Sequence, residues 1–311
     1  MSGSGTIGLA GCAAFVLRPF HSKGARTRSF DTRPEQDFAT GEEHIMSESG
    51  QGSIPPNLLR AVARVIRESR LLVVLTGAGV SKESGIPTFR DALDGLWANY
   101  DPQRLATPRG FRRDPRLVWE WYQHRRALIA QAQPNAGHLA IVDLERYVPQ
   151  VVVITQNVDG LHQQAGSHDV IPVHGDIRLN KCFANCQGDP TYVDISQLTW
   201  DEAAGPPRCP HCGAYVRPAV VWFEEMLPEA ALARAFYLAR AADTMLVVGT
   251  SGEVQPVASL PFLAHHHGAT IIEVNPAITP ISRIAHWRLA GPSAQVLPQV
   301  VAALAEEDDH A

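Results

Sequence analysis

The sequence predicts an α/β fold: a doubly wound parallel sheet with a small cysteine-held module inserted into it. Three observations carry this. Four short apolar runs, 71–75, 151–154, 245–248 and 270–274, are bounded by turn residues and separated by helical patterns. Such runs read as strands buried on both faces, the mark of a parallel sheet. The runs end in small or amide residues, Gly77, Asn157, Gly249 and Asn275. In open α/β sheets, ligands sit outside these carboxyl ends. Finally, two close cysteine pairs, Cys182/Cys186 and Cys209/Cys212, stand between the second and third runs. Their spacing suits a structural zinc site.

Composition bounds the rest. The 311 residues are 45% hydrophobic and 19% charged, enough for one large core and a smaller satellite unit. A net charge of −5 gives no reason to expect nucleic acid. No apolar run approaches the ~20 residues of a membrane-spanning helix. Five cysteines are too few and too clustered for a disulfide scaffold, which favours a reducing compartment, the cytoplasm. Residues 1–52 are rich in Ser, Gly and Arg, with Asp31 the first acid, and read as a disordered extension. The alternative is a transit peptide, which would place the protein in mitochondria. The main domain is expected over 53–306, with the zinc module at about 177–218 and a frayed tail at 307–311.

A helix is expected from Pro56, with Leu58, Val62, Val65 and Ile66 on one face. After run 71–75 the chain turns through Gly77, Ala78 and Gly79. Small residues let backbone N–H groups approach a ligand, and a helix N-terminus behind them favours phosphate. The dinucleotide fingerprint fails, because Lys82 stands where a third Gly belongs, and no Walker A loop is present. On the glycines alone, a nucleotide site and a plain tight turn both fit. Residues 86–107 read as loop. Asp114-Pro115 then supplies an N-cap and a first helical residue, and Leu117, Trp121, His124 and Leu128 form one face. Tyr122 and Arg125, three apart on this helix, are neighbours; alone they are an ordinary surface pair. Asn135 is expected to cap the next helix, with Leu139, Val142 and Tyr147 on its face.

The second run ends in Thr155-Gln156-Asn157-Val158-Asp159-Gly160-Leu161-His162. The carboxamide of Asn157 and the carboxylate of Asp159 suit a carboxamide ring such as nicotinamide; helix capping by Asp159 is the plainer alternative. His174, followed by Gly175 at the end of a short apolar run, is a candidate general base or a structural histidine. Four cysteine ligands leave no open position, so the metal would be structural, with disulfides as the alternative. The module is acidic at Asp189, Asp194, Asp201 and Glu202, which argues against nucleic acid. Pro228 starts a helix with Leu232, Ala235, Phe236 and Ala239 inward. His265, His266 and His267 close a later helix before Gly268, where cations suit the dipole.

In order along the chain, the string 76–90, the string 155–162, His174-Gly175, the cysteine module and the stretch 217–225 together resemble the sirtuins, the NAD-dependent protein-lysine deacylases. The resemblance covers residues 56–304. It implies a Rossmann-like NAD domain with one structural zinc held by Cys182, Cys186, Cys209 and Cys212. It implies that NAD is bound by Gly77, Ala78, Gly79, Ser81, Ser84 and Thr88, with Phe89 and Arg90 shaping the loop over the reacting ribose. Gln156, Asn157 and Asp159 would hold the nicotinamide end, and Gly249, Thr250, Ser251, Asn275 and Ser293 the adenosine end. The acyl oxygen would attack C1′ of the ribose, nicotinamide would leave, and His174 would act as general base on the ribose hydroxyls. Val221, Trp222 and Phe223 would pair with an extended acyl-lysine peptide. No nucleic acid or membrane partner is implied, and a monomer is expected. Tyr122-Gln123-His124-Arg125 matches the Tyr-x-x-Arg of the branch that removes succinyl, malonyl and glutaryl groups. A plain deacetylase and a mono-ADP-ribosyltransferase are the alternatives. There are three departures. Three residues separate Cys182 and Cys186 where two are usual, Ala219 replaces a frequent His or Asp, and Glu224 stands where the family usually has Gly.

Overall fold

The computed structural model describes residues 54–88 and 101–308, all within one compact unit, Met46–Ala311. Its strands are β1 (Leu71–Thr76), β2 (Gln150–Thr155), β3 (Val170–Pro172), β4 (Gly175–Cys182), β5 (Val216–Val220), β6 (Thr244–Val248), β7 (Thr270–Val274) and β8 (Trp287–Leu289). The helices are α1 (Pro56–Glu68), α2 (Pro102–Leu105), α3 (Pro108–Arg113), α4 (Pro115–Gln131), α5 (Ala136–Asp143), α6 (Leu161–Ala165), α7 (Glu229–Ala241), α8 (Leu260–His266) and α9 (Ser293–Asp308).

Six strands form a parallel sheet in the order β3-β2-β1-β6-β7-β8. β4 and β5 form a separate antiparallel pair. With that pair set aside, the order is that of a dinucleotide-binding doubly wound sheet, and it reverses between β1 and β6. The apolar runs explain why. Leu72 and Val74 of β1, Val151 and Val153 of β2, and Leu246 and Val248 of β6 pack in one core with α1, α5 and α9. Their neighbours Val73, Leu75, Val152, Ile154, Met245 and Val247 pack in another with α7 and α8. Side chains alternate across a strand, so a strand covered on both faces must be apolar at every position. β8, whose Trp-Arg-Leu has no such pattern, was not legible as a strand.

A third core joins α3 and α4 to β4, β5 and Trp222, and a fourth lies around Cys182, Val193, Cys209 and Val216. Among the described residues no helix is long and apolar enough to cross a membrane.

Three local expectations are corrected. The segment behind the glycine turn is a 3-10 helix, Ala78–Ser84, rather than the start of an α-helix. Its backbone is tied sideways, Gly79 N–H donating to the Gly249 carbonyl at 2.8 Å, and it stops at Gly85 with φ 81°. The buried face of α4 carries Val118, Trp121, Tyr122 and Ile129, while Leu128 is 41% exposed. On α5, Leu139 is 50% exposed, and Ala140, Ile141 and the following Leu144 face the core. The caps hold as read: Asp114 accepts from Leu117 N–H at 3.0 Å, and Asn135 accepts from Gly137 N–H at 2.9 Å.

Candidate active site

The crevice at the reversal point is closed by backbone touching backbone. A Cβ on Gly79 would lie 2.7 Å from the Gly249 carbonyl oxygen, and Gly249 itself sits at φ 59°. Side chains at either position would push the loops after β1 and β6 apart. Gln156 Nε2–H donates to Thr250 Oγ1 at 2.9 Å, and Asn275 Nδ2–H to the Thr250 carbonyl at 2.8 Å. These ties hold open one cavity of about 1200 Å³ that runs along the strand ends.

Ser81 is the hub of its inner end. Its hydroxyl donates to Asp159 Oδ2 at 2.8 Å and accepts from Asn157 Nδ2–H at 3.0 Å. His138 Nδ1 accepts the Asn135 N–H at 3.4 Å, so Nε2 carries the ring proton, 3.5 Å from Ser81 Oγ. Asp159 Oδ1 also accepts the Leu161 N–H at 2.9 Å, across the turn into α6, whose N-cap is Gly160. The Asn157 amide oxygen accepts from no group among the described residues and can meet a donor, and Asp159 retains lone pairs. A carboxamide, which has both a donor and an acceptor, fits this pair. Behind it, burial pushes the His138 imidazolium down to about 4. Burial, and then the neighbouring His138, pushes His162 down to about 3.

His174 lies in the turn between β3 and β4. Its Nδ1 is 3.0 Å from the Gln156 backbone carbonyl. A carbonyl can only accept, so Nδ1 holds the proton and Nε2 keeps a lone pair toward the cavity it lines. Burial lowers its pKa, with the carbonyl contact opposing. The ring is therefore a base at neutral pH. Its own carbonyl accepts from Val221 N–H at 2.8 Å, which ties the base to the next segment.

That segment is pinned from below. Arg217, 1% exposed, stacks 3.3 Å from the Trp222 ring centroid and pairs with Glu225, whose Oε2 accepts the Trp222 N–H at 2.8 Å. Trp222 Nε1–H donates to the Tyr122 hydroxyl at 2.8 Å. Burial raises the Tyr122 phenol to about 12, with Arg125 opposing. The phenol is thus neutral, its oxygen accepting from Trp222 and its proton available. Arg125 lies 5.2 Å over Trp121, and burial lowers its pKa. Both side chains line the cavity that also holds His174. At the rim, Glu224 adopts φ 72°, a left-handed conformation that costs about 1–2 kcal/mol without a glycine. Its carboxylate pairs with Arg109 at 2.8 Å.

The four module thiols converge. Cys182 and Cys212 sulfurs are 3.5 Å apart, Cys186 and Cys209 sulfurs 3.9 Å, and all four lie within 4.8 Å of one another. Corners of a ZnS4 tetrahedron with bonds of about 2.3 Å are roughly 3.8 Å apart. The set fits one zinc, and these distances exclude disulfides. Asn185, at φ 47°, takes up the additional residue of the first knuckle.

Of the expected residues, Gly77, Ala78, Gly79, Ser81, Thr88, Gln156, Asn157, Asp159, His174, Gly249, Thr250, Ser251, Asn275, Ser293, Tyr122, Arg125, Val221, Trp222 and Phe223 all line the one cavity. Ser84 does not: its hydroxyl accepts from Asn135 Nδ2–H at 2.9 Å and anchors the α5 cap. Phe89 and Arg90 lie outside the described residues. Sequence reading missed Glu83, which accepts the Ala294 N–H at 2.8 Å and so caps α9, and missed His138 behind Ser81. Neither carries a local signal, because each acts on a residue far away in the chain.

Comparison with known proteins agrees with this geometry. The Sir2 family model matches residues 77–256, more than half of the chain. NAD-dependent protein deacylase 1 of Pseudomonas aeruginosa is 49% identical over 247 residues, 78% of this chain and 98% of that protein. NAD-dependent protein deacylase 1 of Caldanaerobacter subterraneus subsp. tengcongensis is 54% identical over 220 residues, 70% of this chain and 88% of that one. A crystal structure of a Sir2 homologue in complex with NAD is 44% identical, with a TM-score of 0.73, covering 79% of this chain and 94% of its own. A sheet reversing between two glycine loops, a cavity lined by His174, Asn157 and Asp159, and a module of four converging cysteines thus coincide with a family match over most of the described residues: the chain belongs to the Sir2 family.

Proposed function

We propose that this chain removes succinyl and malonyl groups from protein lysines in preference to acetyl. The coarser activity is that of the family: the chain is an NAD-dependent protein deacylase acting on acyl-lysine. The observation that carries the finer reading is the pairing of Tyr122 and Arg125 on the wall of the cavity that holds His174. A dicarboxylic acyl group brings a carboxylate into this space, and burying it without a partner would be costly. The Arg125 guanidinium can pair with it in fork geometry, while the neutral Tyr122 phenol donates a further hydrogen bond. Acetyl offers neither group a partner.

Bound NAD supplies nicotinamide as the leaving group and the ribose that takes up the acyl group, giving nicotinamide and O-acyl-ADP-ribose. The chain's own residues position and move protons. Gly77, Ala78 and Gly79 admit a phosphate against the backbone, and Gly249, Thr250, Ser251 and Asn275 line the adenosine end. Asn157 and Asp159, held by Ser81, orient the carboxamide. His174 Nε2 takes the proton of a ribose hydroxyl, with Nδ1–H fixed on the Gln156 carbonyl throughout. Cys182, Cys186, Cys209 and Cys212 would hold a zinc whose role would be to stabilise the module.

The test is turnover of matched succinyl-, malonyl- and acetyl-lysine peptides with NAD, followed by nicotinamide release and mass spectrometry of the O-acyl-ADP-ribose. A succinyl kcat/KM at least about tenfold above acetyl, one decade or ~1.4 kcal/mol of transition-state discrimination, is expected. Equal rates, or acetyl preference, would reduce the reading to a plain deacetylase.

A further inference from the structure

We propose that Glu224 is a specificity-determining residue of this deacylase, selecting substrates with a basic side chain next to the acyl-lysine; this rests on the reading that an extended peptide pairs with the stretch 221–225.

The backbone of that stretch is almost fully committed. Val221 N–H donates to the His174 carbonyl at 2.8 Å, Trp222 N–H to Glu225 at 2.8 Å, Phe223 N–H to the Ala106 carbonyl at 2.9 Å, and Glu225 N–H to the Trp222 carbonyl at 3.1 Å. Among the described residues, the Glu224 N–H is the one amide of the five with no acceptor. A peptide adding to this edge by backbone pairing finds its one open amide donor here. The incoming chain then lies against residue 224 itself, and at this position the protein has a carboxylate rather than a hydrogen.

Glu224 is held to this place against its backbone preference, at φ 72°. Its side chain is 49% exposed, and its partner Arg109 is 79% exposed. An ion pair so open to water is weak and exchangeable. Glu224 lines the cavity, as does a second exposed acid, Glu253, from the loop after β6, whereas Arg109 does not. Glu225 is held by Arg217 and Trp222, and Glu83 by the start of α9. A substrate chain passing residue 224 therefore meets the carboxylate of Glu224. A lysine or arginine flanking the acyl-lysine would exchange with Arg109 for Glu224, and an acidic flank would be repelled.

The experiment uses the full chain with NAD and succinyl-lysine peptides that differ only in their flanking residues: lysine, alanine or glutamate. The readout is the ratio of kcat/KM between lysine- and glutamate-flanked peptides, so a general loss of activity cancels. Wild type is expected to favour the basic flank by about 3–10-fold at low salt, falling toward unity at high salt. Glu224→Gln and Glu224→Gly should bring the ratio near unity, and Arg109→Ala should widen it. An unchanged ratio in Glu224→Gln would overturn the assignment. So would a wild-type preference for the acidic flank, which would point to Arg109 instead. Binding of the same peptides by fluorescence anisotropy gives the ratio without turnover. Failure of the alanine-flanked peptide to react would count against the acyl reading and leave the binding ratio to decide the role of Glu224.

Discussion

Replacing Arg125 by methionine separates the two substrate classes most sharply. The guanidinium sits on the Trp121 face at 5.2 Å, beside a phenol raised to about 12, in surroundings that already lower its pKa through burial. Its charge is held at a cost that a substrate carboxylate would relieve. Methionine fills much of the same space without the charge, so a bound succinyl group would bury its carboxylate with one phenol hydrogen bond alone. Breaking a buried ion pair in this way costs roughly 3–5 kcal/mol. The cavity opens to solvent, so the lower end applies. At 1.36 kcal/mol per decade, ~3 kcal/mol is roughly a 10²-fold loss in desuccinylation efficiency. Deacetylation loses no partner and is expected to stay within about threefold, the ±0.5 kcal/mol typical where no interaction is broken. The assay is competition between the two acyl peptides in one tube, with nicotinamide release as a check on total turnover. Tyr122→Phe should lower the succinyl rate less, by about tenfold for one hydrogen bond to a charged group. Equal losses on both substrates in Arg125→Met would refute the argument and make the pair structural.

His174→Ala is expected to lower kcat by about 10²–10⁴-fold while NAD still binds by calorimetry. The wild-type kcat/KM should rise with pH along an acid limb below the ordinary histidine value of about 6.5, because burial keeps the base unprotonated. His138 and His162 are depressed in the folded state, to about 4 and about 3. The unfolded chain then binds more protons below pH ~6.5, so the stability they contribute is full above that pH and is lost as pH falls toward 4 and 3. Thermal melts across pH 4–7 should show the fall, and His138→Gln should flatten it. Cys209→Ser should reduce bound zinc from about one per chain and lower the melting temperature together; a metal-free variant with wild-type stability would remove the structural role. Ser81→Ala should raise the KM for NAD by roughly tenfold, since Asn157 and Asp159 lose the hydroxyl between them.

What could be read from the sequence was local. Strands buried on both faces must be apolar throughout, so β1, β2, β6 and β7 announced themselves, and their polar ends marked the crevice. The cysteine pairs were equally plain, because metal geometry constrains spacing. The inward face of α4 was not legible, because its aliphatic stripe pointed to Leu128. The structure instead turns Tyr122 and Arg125 inward, against Trp222 from a segment a hundred residues on. Ser84 looked like part of the cofactor loop, but its hydroxyl serves Asn135. Glu83 looked like any surface acid, yet it caps α9 some 211 positions away. No periodicity or spacing records such pairings.

The neighbour of Arg125 on α4 has a bearing on how this enzyme could be redesigned. Arg126 donates to the Ile177 carbonyl at 2.6 Å, the Leu179 carbonyl at 3.0 Å and Asn180 Oδ1 at 2.7 Å, all on β4, the strand that ends at the first metal-ligating cysteine. One helical turn thus carries the two residues proposed to read the acyl group and grips the inserted sheet with a third. The insert and the acyl reader are not interchangeable parts: grafting a foreign knuckle onto this scaffold would shift the helix, and with it the register of the guanidinium. Transplanting substrate choice between relatives would therefore require moving α4 and β4 together as one cassette.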